Sequence, residues 1–330
     1  MKRVELPLVE PIYSTYHHQG AGAAAMVNNP SIRNWYLNEV MELVCNRKFL
    51  SGYTTPEINI INSSWINNPY YYQRWFTMEF LNGHIHTVIR NMLDAGYYVV
   101  FHGIDDYYVK GKTWYHKKHF EHDGLLCGYD REKDTYCMYA YDSNWIYQKF
   151  WTPRRAFDAG RCAMMKKGLC GYICGIQAKP DQITFSPAAV RNGIERYLDS
   201  TMEKYPENET GDVRGIIVQD YIGKYLERLI AGLVPYERMD RRVFRVIWEH
   251  KKVMGERIAR LEQELSLGPV YSERYAPLIA QADTMRMLYA SHHMKRRDSV
   301  LPMIQKLLLD VKRQEKEILT ELMEKTEGKT

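Results

Sequence analysis

His122-Asp123-Gly124-Leu125-Leu126-Cys127-Gly128-Tyr129-Asp130 leads into the charged run Arg131-Glu132-Lys133-Asp134, then Thr135–Tyr141 and Asp142-Ser143. Gly124–Tyr129 and Thr135–Tyr141 have the length and the aromatic and aliphatic content of strands. The charged turn between them is short, and connections of that length join antiparallel neighbours. A histidine at the start of one such strand and a carboxylate at the end of the next become near neighbours. That geometry lets the carboxylate hold an imidazole in one tautomer and leaves the other nitrogen to act as a base.

Working outward, Ala95–Asp105 reads as a strand centred on Tyr97-Tyr98-Val99-Val100-Phe101, Ile146–Trp151 as a fourth strand and Gly171–Ala178 as a closing fifth. The predicted sheet is antiparallel. Upstream, Asn34–Cys45 places Trp35, Val40, Leu43 and Val44 near one helical face, and Arg74–Ala95 repeats Phe76, Phe80, His84, Val88 and Met92 at helical spacing, with Gly96 as the stop. Past Lys179-Pro180 the pattern changes. Ser186-Pro187 is an N-cap followed by proline at the first helical position. Helices then run to Lys325, punctuated at Pro206–Gly211, Pro235 and Leu267–Pro269. The last, Val300–Lys325, carries Leu301, Ile304, Leu308, Val311, Ile318 and Leu322 as an amphipathic stripe. The expected organisation is α+β: residues 1–178 form a sheet-bearing domain and 179–330 a helical one.

The 330 residues are 45% hydrophobic and 26% charged, which excludes a disordered or fibrous chain. A net charge of +5 is too mild to argue for nucleic acid. From Asp181 onward 25 basic and 24 acidic residues interleave, as on a solvated bundle surface. No apolar run is long enough to span a membrane, and Met1–Pro7 lacks the apolar core of a secretory signal. The six cysteines, Cys45, Cys127, Cys137, Cys162, Cys170 and Cys174, show neither zinc nor disulfide spacing. A cytoplasmic protein with reduced thiols is expected. Tyrosine stands out, at 26 against 9 phenylalanines, and suits half-wet clefts as well as ordinary packing.

Val99-Val100-Phe101-His102-Gly103-Ile104-Asp105-Asp106-Tyr107-Tyr108, followed by His122 and Gly128-Tyr129-Asp130, resembles the papain-like fold. More narrowly it resembles the acyltransferase family typified by butirosin biosynthesis protein H, with bacteriocin-processing cysteine peptidases as more distant relatives. The helical half is similar to the tail of the butirosin-type proteins. The resemblance implies transfer of an acyl or peptidyl group from a carrier-protein thioester to a small-molecule amine or peptide acceptor, in natural-product assembly. It implies His122 as the base, Asp142 as its orienting carboxylate and Gln19 as an oxyanion donor. It implies no cofactor and no metal.

The chain departs from that pattern where the nucleophile belongs. His17-His18-Gln19-Gly20-Ala21-Gly22-Ala23-Ala24-Ala25-Met26 contains no Cys, Ser or Thr. Three readings stay open: a natural loss, a Cys-to-Ala change at Ala23 or Ala25, or replacement by another thiol, for which Cys45 is the nearest candidate. A buried structural thiol is the simpler account of Cys45. A member without a nucleophile would be a binding protein sheltering a carrier-bound intermediate, or would use His122 to deprotonate the acceptor directly. Gly20–Gly22 reads as a Gly-rich turn, and it lacks the Lys and Ser/Thr of a phosphate-binding loop. His116, His119 and His122 recur every third residue without a carboxylate pair at ligand spacing. Asp105 and Asp106 should face opposite ways along a strand, which argues against a shared dyad. Trp65, Tyr70-Tyr71-Tyr72, Trp75 and Trp114 are candidates to line a groove. The basic segment after His292-His293, Met294–Arg297, suits either a solvated helix face or an acidic partner.

Overall fold

Alternation places Val99, Phe101, Met138, Ala140 and Ile173 on one side of a sheet, where they form an apolar core with Ile85, Ile89 and Phe157. The computed structural model describes residues 2–26, 29–52, 54–169, 171–200 and 211–329. They divide into two compact units, 1–33 with 64–182, and 34–63 with 183–330. The architecture is mixed helix and antiparallel sheet.

The first unit holds a seven-stranded sheet. Its strands are β1 (Arg3–Glu5), β4 (Tyr71–Thr77), β5 (Tyr98–Asp105), β6 (Glu121–Asp130), β7 (Thr135–Tyr141), β8 (Tyr147–Pro153) and β9 (Tyr172–Ala178). The order is β4-β9-β5-β6-β7-β8, with β1 added to β6, and every pair is antiparallel. The expected hairpin is β6–β7, with Asp130 opposite Thr135. Helices α4 (Ile85–Asp94) and α5 (Arg154–Lys166) supply the apolar core on one face. Helix α1 (His17–Met26) meets β6, β7 and β9.

Two expectations fail here for one reason. Arg74-Trp75-Phe76 lies in β4, paired along its length with β9, and helix resumes only at α3 (Met78–Leu81) and α4. Gly20–Gly22 is not a turn but the middle of α1. A Cβ on Gly22 would lie 2.4 Å from that of Trp65, and one on Gly20 2.7 Å from the Tyr147 ring. Small residues are needed for that close approach, and tertiary packing overrides the low helix propensity of glycine. Gly96 does end its helix, at φ +81°.

The second unit begins inside α2 (Pro30–Glu39). It contains a small sheet ordered β10 (Asp212–Arg214), β2 (Leu43–Asn46), β3 (Ile58–Ile60). The helix expected over Asn34–Cys45 therefore stops at Glu39, and Leu43-Val44-Cys45 is strand. Around it stand α6 (Pro187–Leu198), α7 (Val218–Ile230), α8 (Val243–Glu264), α9 (Val270–Lys295) and α10 (Leu301–Lys325). Ser186 Oγ accepts from the Ala189 N–H, the predicted cap. The division after residue 178 falls at 182, and residues 34–63 go with the helices.

The five helices α6–α10 meet at one buried carboxylate. Glu315 of α10 accepts from Lys251 Nζ of α8 at 2.5 Å, Gln219 of α7 at 2.7 Å, Tyr275 of α9 at 2.6 Å and Tyr197 of α6 at 3.0 Å. Arg257 of α8 donates to the carbonyls of Tyr36, Leu37 and Val40 at the end of α2. Its guanidinium thus answers carbonyls that the helix leaves unpaired. No helix of the described residues is long and apolar enough to cross a membrane.

Candidate active site around His122

His122 stands at the start of β6, opposite Ile104 of β5. Its Nδ1 lies 2.7 Å from Asp106 Oδ2, while its side chain is 23% exposed against 4% for Asp106. Asp106 Oδ1 lies 3.5 Å from the Nζ of buried Lys112. Burial pushes the Lys112 ammonium below its ordinary pKa, and Asp106 pulls the other way. The result is a part-exposed imidazole fixed at one nitrogen by a buried carboxylate.

Asp142 is not that carboxylate. It closes the β7–β8 connection, accepting from the N–H groups of Asn144 and Ile146 at 2.8 and 2.9 Å and from Gln148 Nε2 at 2.6 Å. These donors hold its carboxyl below the usual range against the opposing effect of burial. The turn claims both of its oxygens, whereas Asp106 reaches His122 across the β5–β6 pair. Asp105 and Asp106 form no dyad, as expected: Asp105 Oδ2 takes His119 at 2.6 Å and Asp106 takes His122.

Cys45 lies in β2 of the second unit, opposite Ile58 and Val213, and is fully buried. Burial, with Asp212 and Glu57, pushes its thiol pKa up. Such a thiol is a poor nucleophile. Within the first unit Cys127, Cys137 and Cys174 are buried in strands and Cys162 is exposed on α5, while Cys170 lies outside the described residues.

The residue of α1 that faces His122 is His17, at the first position of the helix. Neither Ala23, fully buried, nor Ala25 lies in that first turn. The two imidazoles meet edge to face with centroids 4.4 Å apart, and Tyr141 and Tyr147 stand 5.4 Å from His17. Burial, then Lys112 and His122, press the His17 pKa well below its ordinary value. The positive end of the helix dipole acts in the same direction. Both His17 ring nitrogens, the Tyr147 hydroxyl and Lys112 Nζ are buried without a hydrogen-bond partner among the described residues. Gln19 supports the helix start: its Oε1 accepts from the Tyr16 N–H at 3.2 Å while its own N–H donates to the Tyr16 carbonyl.

Beside this centre, Trp65, Trp75, Tyr172 and His102 form a chain of ring contacts with centroid spacings of 5.2, 5.0 and 5.2 Å. His102 ends it against Asp123 and Glu121, and the Asp123 hydrogen bond raises its pKa. Trp65 and Trp75 were candidate groove residues; Trp65 is buried and Trp75 exposed. Among the described residues no group of three or more His, Cys, Asp or Glu is placed to hold a metal. Compared with known proteins, the chain matches no family model and no curated relative. In the second unit His292 is buried, and Arg296 and Arg297 are exposed.

Sequence reasoning noticed Asp106 only as half of the Asp105-Asp106 pair and passed over Lys112. The signal for Asp106 was present in the Asp105-Asp106 pair, two strand-end carboxylates followed at a distance by His119 and His122.

Proposed function

We propose that this chain is a papain-like enzyme of the cytoplasm that transfers an acyl or peptidyl group from a carrier-protein thioester to an amine, in natural-product assembly, with His122 as general base and no covalent enzyme intermediate. The observation that carries the reading is the His122–Asp106 pair, a part-exposed imidazole held at Nδ1 by a buried carboxylate. Placement of α1 against the sheet that bears this pair supports the papain-like assignment.

In the step proposed, the amine nitrogen attacks the thioester carbonyl, forming the C–N bond. His122 Nε2 takes the proton that the amine sheds, and Asp106 stabilises the imidazolium. The C–S bond then breaks, and the imidazolium returns its proton to the departing thiolate. Burial, chiefly, keeps His17 neutral beside it.

An acyl-loaded carrier incubated with an amine tests this directly. The expected outcome is amide formation with no acyl adduct on the protein by mass spectrometry. His122→Ala should slow it about 10²–10⁴-fold, the usual contribution of general-base catalysis. Full activity in that variant, or an adduct on any cysteine, overturns the mechanism.

A second reading is favoured by His17, which occupies the first turn where a thiol nucleophile would sit. On that reading the protein binds and shelters a carrier-bound intermediate without turning it over. It predicts the same carrier binding and no amide.

A further inference from the structure

The segment Tyr107–Phe120 carries four lysines and no acidic residue. It leaves β5 and returns to β6 as a closed loop. Its two ends are tied by carboxylates that point inward. Asp105 Oδ1 accepts from the N–H groups of Tyr107 and Phe120 at 3.1 and 3.0 Å, and Asp105 Oδ2 takes His119. The Asp106 N–H donates to the Phe120 carbonyl at 2.9 Å. Asp106 itself is occupied by His122 and Lys112. Asp105 and Asp106 are thus buried and spent, Glu121 and Asp123 beyond the loop's end face His102, and Lys110, Lys117 and Lys118 are left exposed.

One of these cations is held in place by its neighbours. Lys118 Nζ sits 5.4 Å above the Trp114 ring and 6.0 Å from that of Phe120, an arrangement that holds the ammonium over two ring faces. The backbone turns through a left-handed residue at His116, φ 53°, whose N–H donates to the Tyr107 carbonyl at 3.0 Å. His116 and His119 both pack on Tyr107. Phe120, 39% exposed, touches His122 at a centroid spacing of 5.3 Å. A compact loop of this size, closed by its own side chains, commonly carries function. This one is a rim of positive charge that ends beside the imidazole.

We infer that the Lys110–Lys118 rim is a docking surface for an acidic protein, the one that presents the acyl chain to His122. Charge complementarity is the argument: exposed ammonium groups on a segment that carries no carboxylate of its own steer and orient a negative partner surface. The identity of that partner rests on the acyl-transfer reading, but its binding does not require chemistry and is measured apart from it.

The test titrates the full-length protein with an acetyl-loaded, acidic acyl carrier protein and follows binding by fluorescence anisotropy. Lys117→Glu/Lys118→Glu should weaken the affinity at least tenfold, and salt should weaken wild-type binding because surface charges are screened. The same two reversals at exposed Lys166 and Lys167, at the end of α5, should leave it unchanged, with thermal melts confirming that both variants fold. Affinity within twofold of wild type in the loop variant, equal loss in the α5 control, or no binding by the wild type each overturns the docking surface. Aminolysis of a small neutral acetyl thioester reports the chemistry separately. Turnover of that thioester without carrier binding sinks the docking surface alone, and carrier binding through the loop without turnover sinks the transfer reading alone.

Discussion

Two carboxylates in this chain each sit beside a buried lysine, and they have opposite fates. Glu315 is saturated by Lys251, Gln219, Tyr275 and Tyr197, one donor from each of four helices, and the whole cluster is sealed from solvent. Asp106 has a looser lysine at 3.5 Å and spends its other oxygen on a part-exposed imidazole. The orphaned polar atoms of His17, Tyr147 and Lys112 gather around the second centre. A buried carboxylate saturated by four donors fixes one arrangement of its elements, whereas unspent hydrogen-bonding capacity beside a part-exposed imidazole is what a substrate can use.

The sharpest way to break this contrast is Glu315→Ala. It strips the counter-charge from a buried ammonium and should cost about 3–5 kcal/mol, read as a fall in urea midpoint and melting temperature. Adding Lys251→Met should recover much of that loss, because a buried unpaired charge is then no longer present. A loss below about 1 kcal/mol would mean that Glu315 does not hold the bundle together. At the other centre Asp106→Asn should slow amide formation roughly 10²-fold, since His122 loses its orienting anion. Adding Lys112→Met should restore stability and leave turnover slow. Recovery of turnover by the second change would make Asp106 a packing residue.

Acid should probe both units in the same sense. His17 and His250 are held neutral, each chiefly by burial, and His250 also by Lys251 and Arg257. Their folded-state pKa values lie below the unfolded value of about 6.5. Below that pH the unfolded chain binds protons that the folded chain does not, so stability falls as pH is lowered. The slope approaches about 1.4 kcal/mol per pH unit for each group. Denaturant titrations between pH 7.5 and 5 of His250→Gln and His17→Gln should each show a flatter dependence than wild type, and an unchanged slope would refute the assignment. The smallest effect is expected of Cys45→Ala. Amide formation should stay within twofold of wild type, and a hundredfold loss would restore the thiol as nucleophile.

The strands were legible where alternation and turn chemistry agreed, as in β6, β7 and β9, because period-two patterning with polar turns leaves little choice. Leu43-Val44-Cys45 and Arg74-Trp75-Phe76 misled for a physical reason. Short apolar runs beside a helical pattern satisfy both periods, and only pairing with Ile58–Ile60 or with β9 decides between them. His122 was legible as a strand-start imidazole that a carboxylate would hold. Its partner was not, because Asp106 and Asp142 each directly follow a strand that flanks β6. The choice depended on which one spends its oxygens on a local turn. Asp142 does so through Asn144 and Ile146. His17 was visible as a residue but not as the ring facing His122, since Gly20–Gly22 disguised the helix that carries it.

Residues 34–63 belong with the helices although the sheet-bearing unit encloses them in sequence. The chain therefore crosses between units three times, and no single cleavage yields two intact pieces. A fragment ending at residue 182 would retain β2 and β3 but lose β10, leaving the β2 edge that meets Asp212–Arg214 without its partner. An unpaired edge rich in Leu, Val and Cys is a template for intermolecular pairing. Insoluble half-molecules from such a cut would report this interleaving of the chain, not weakness in either unit.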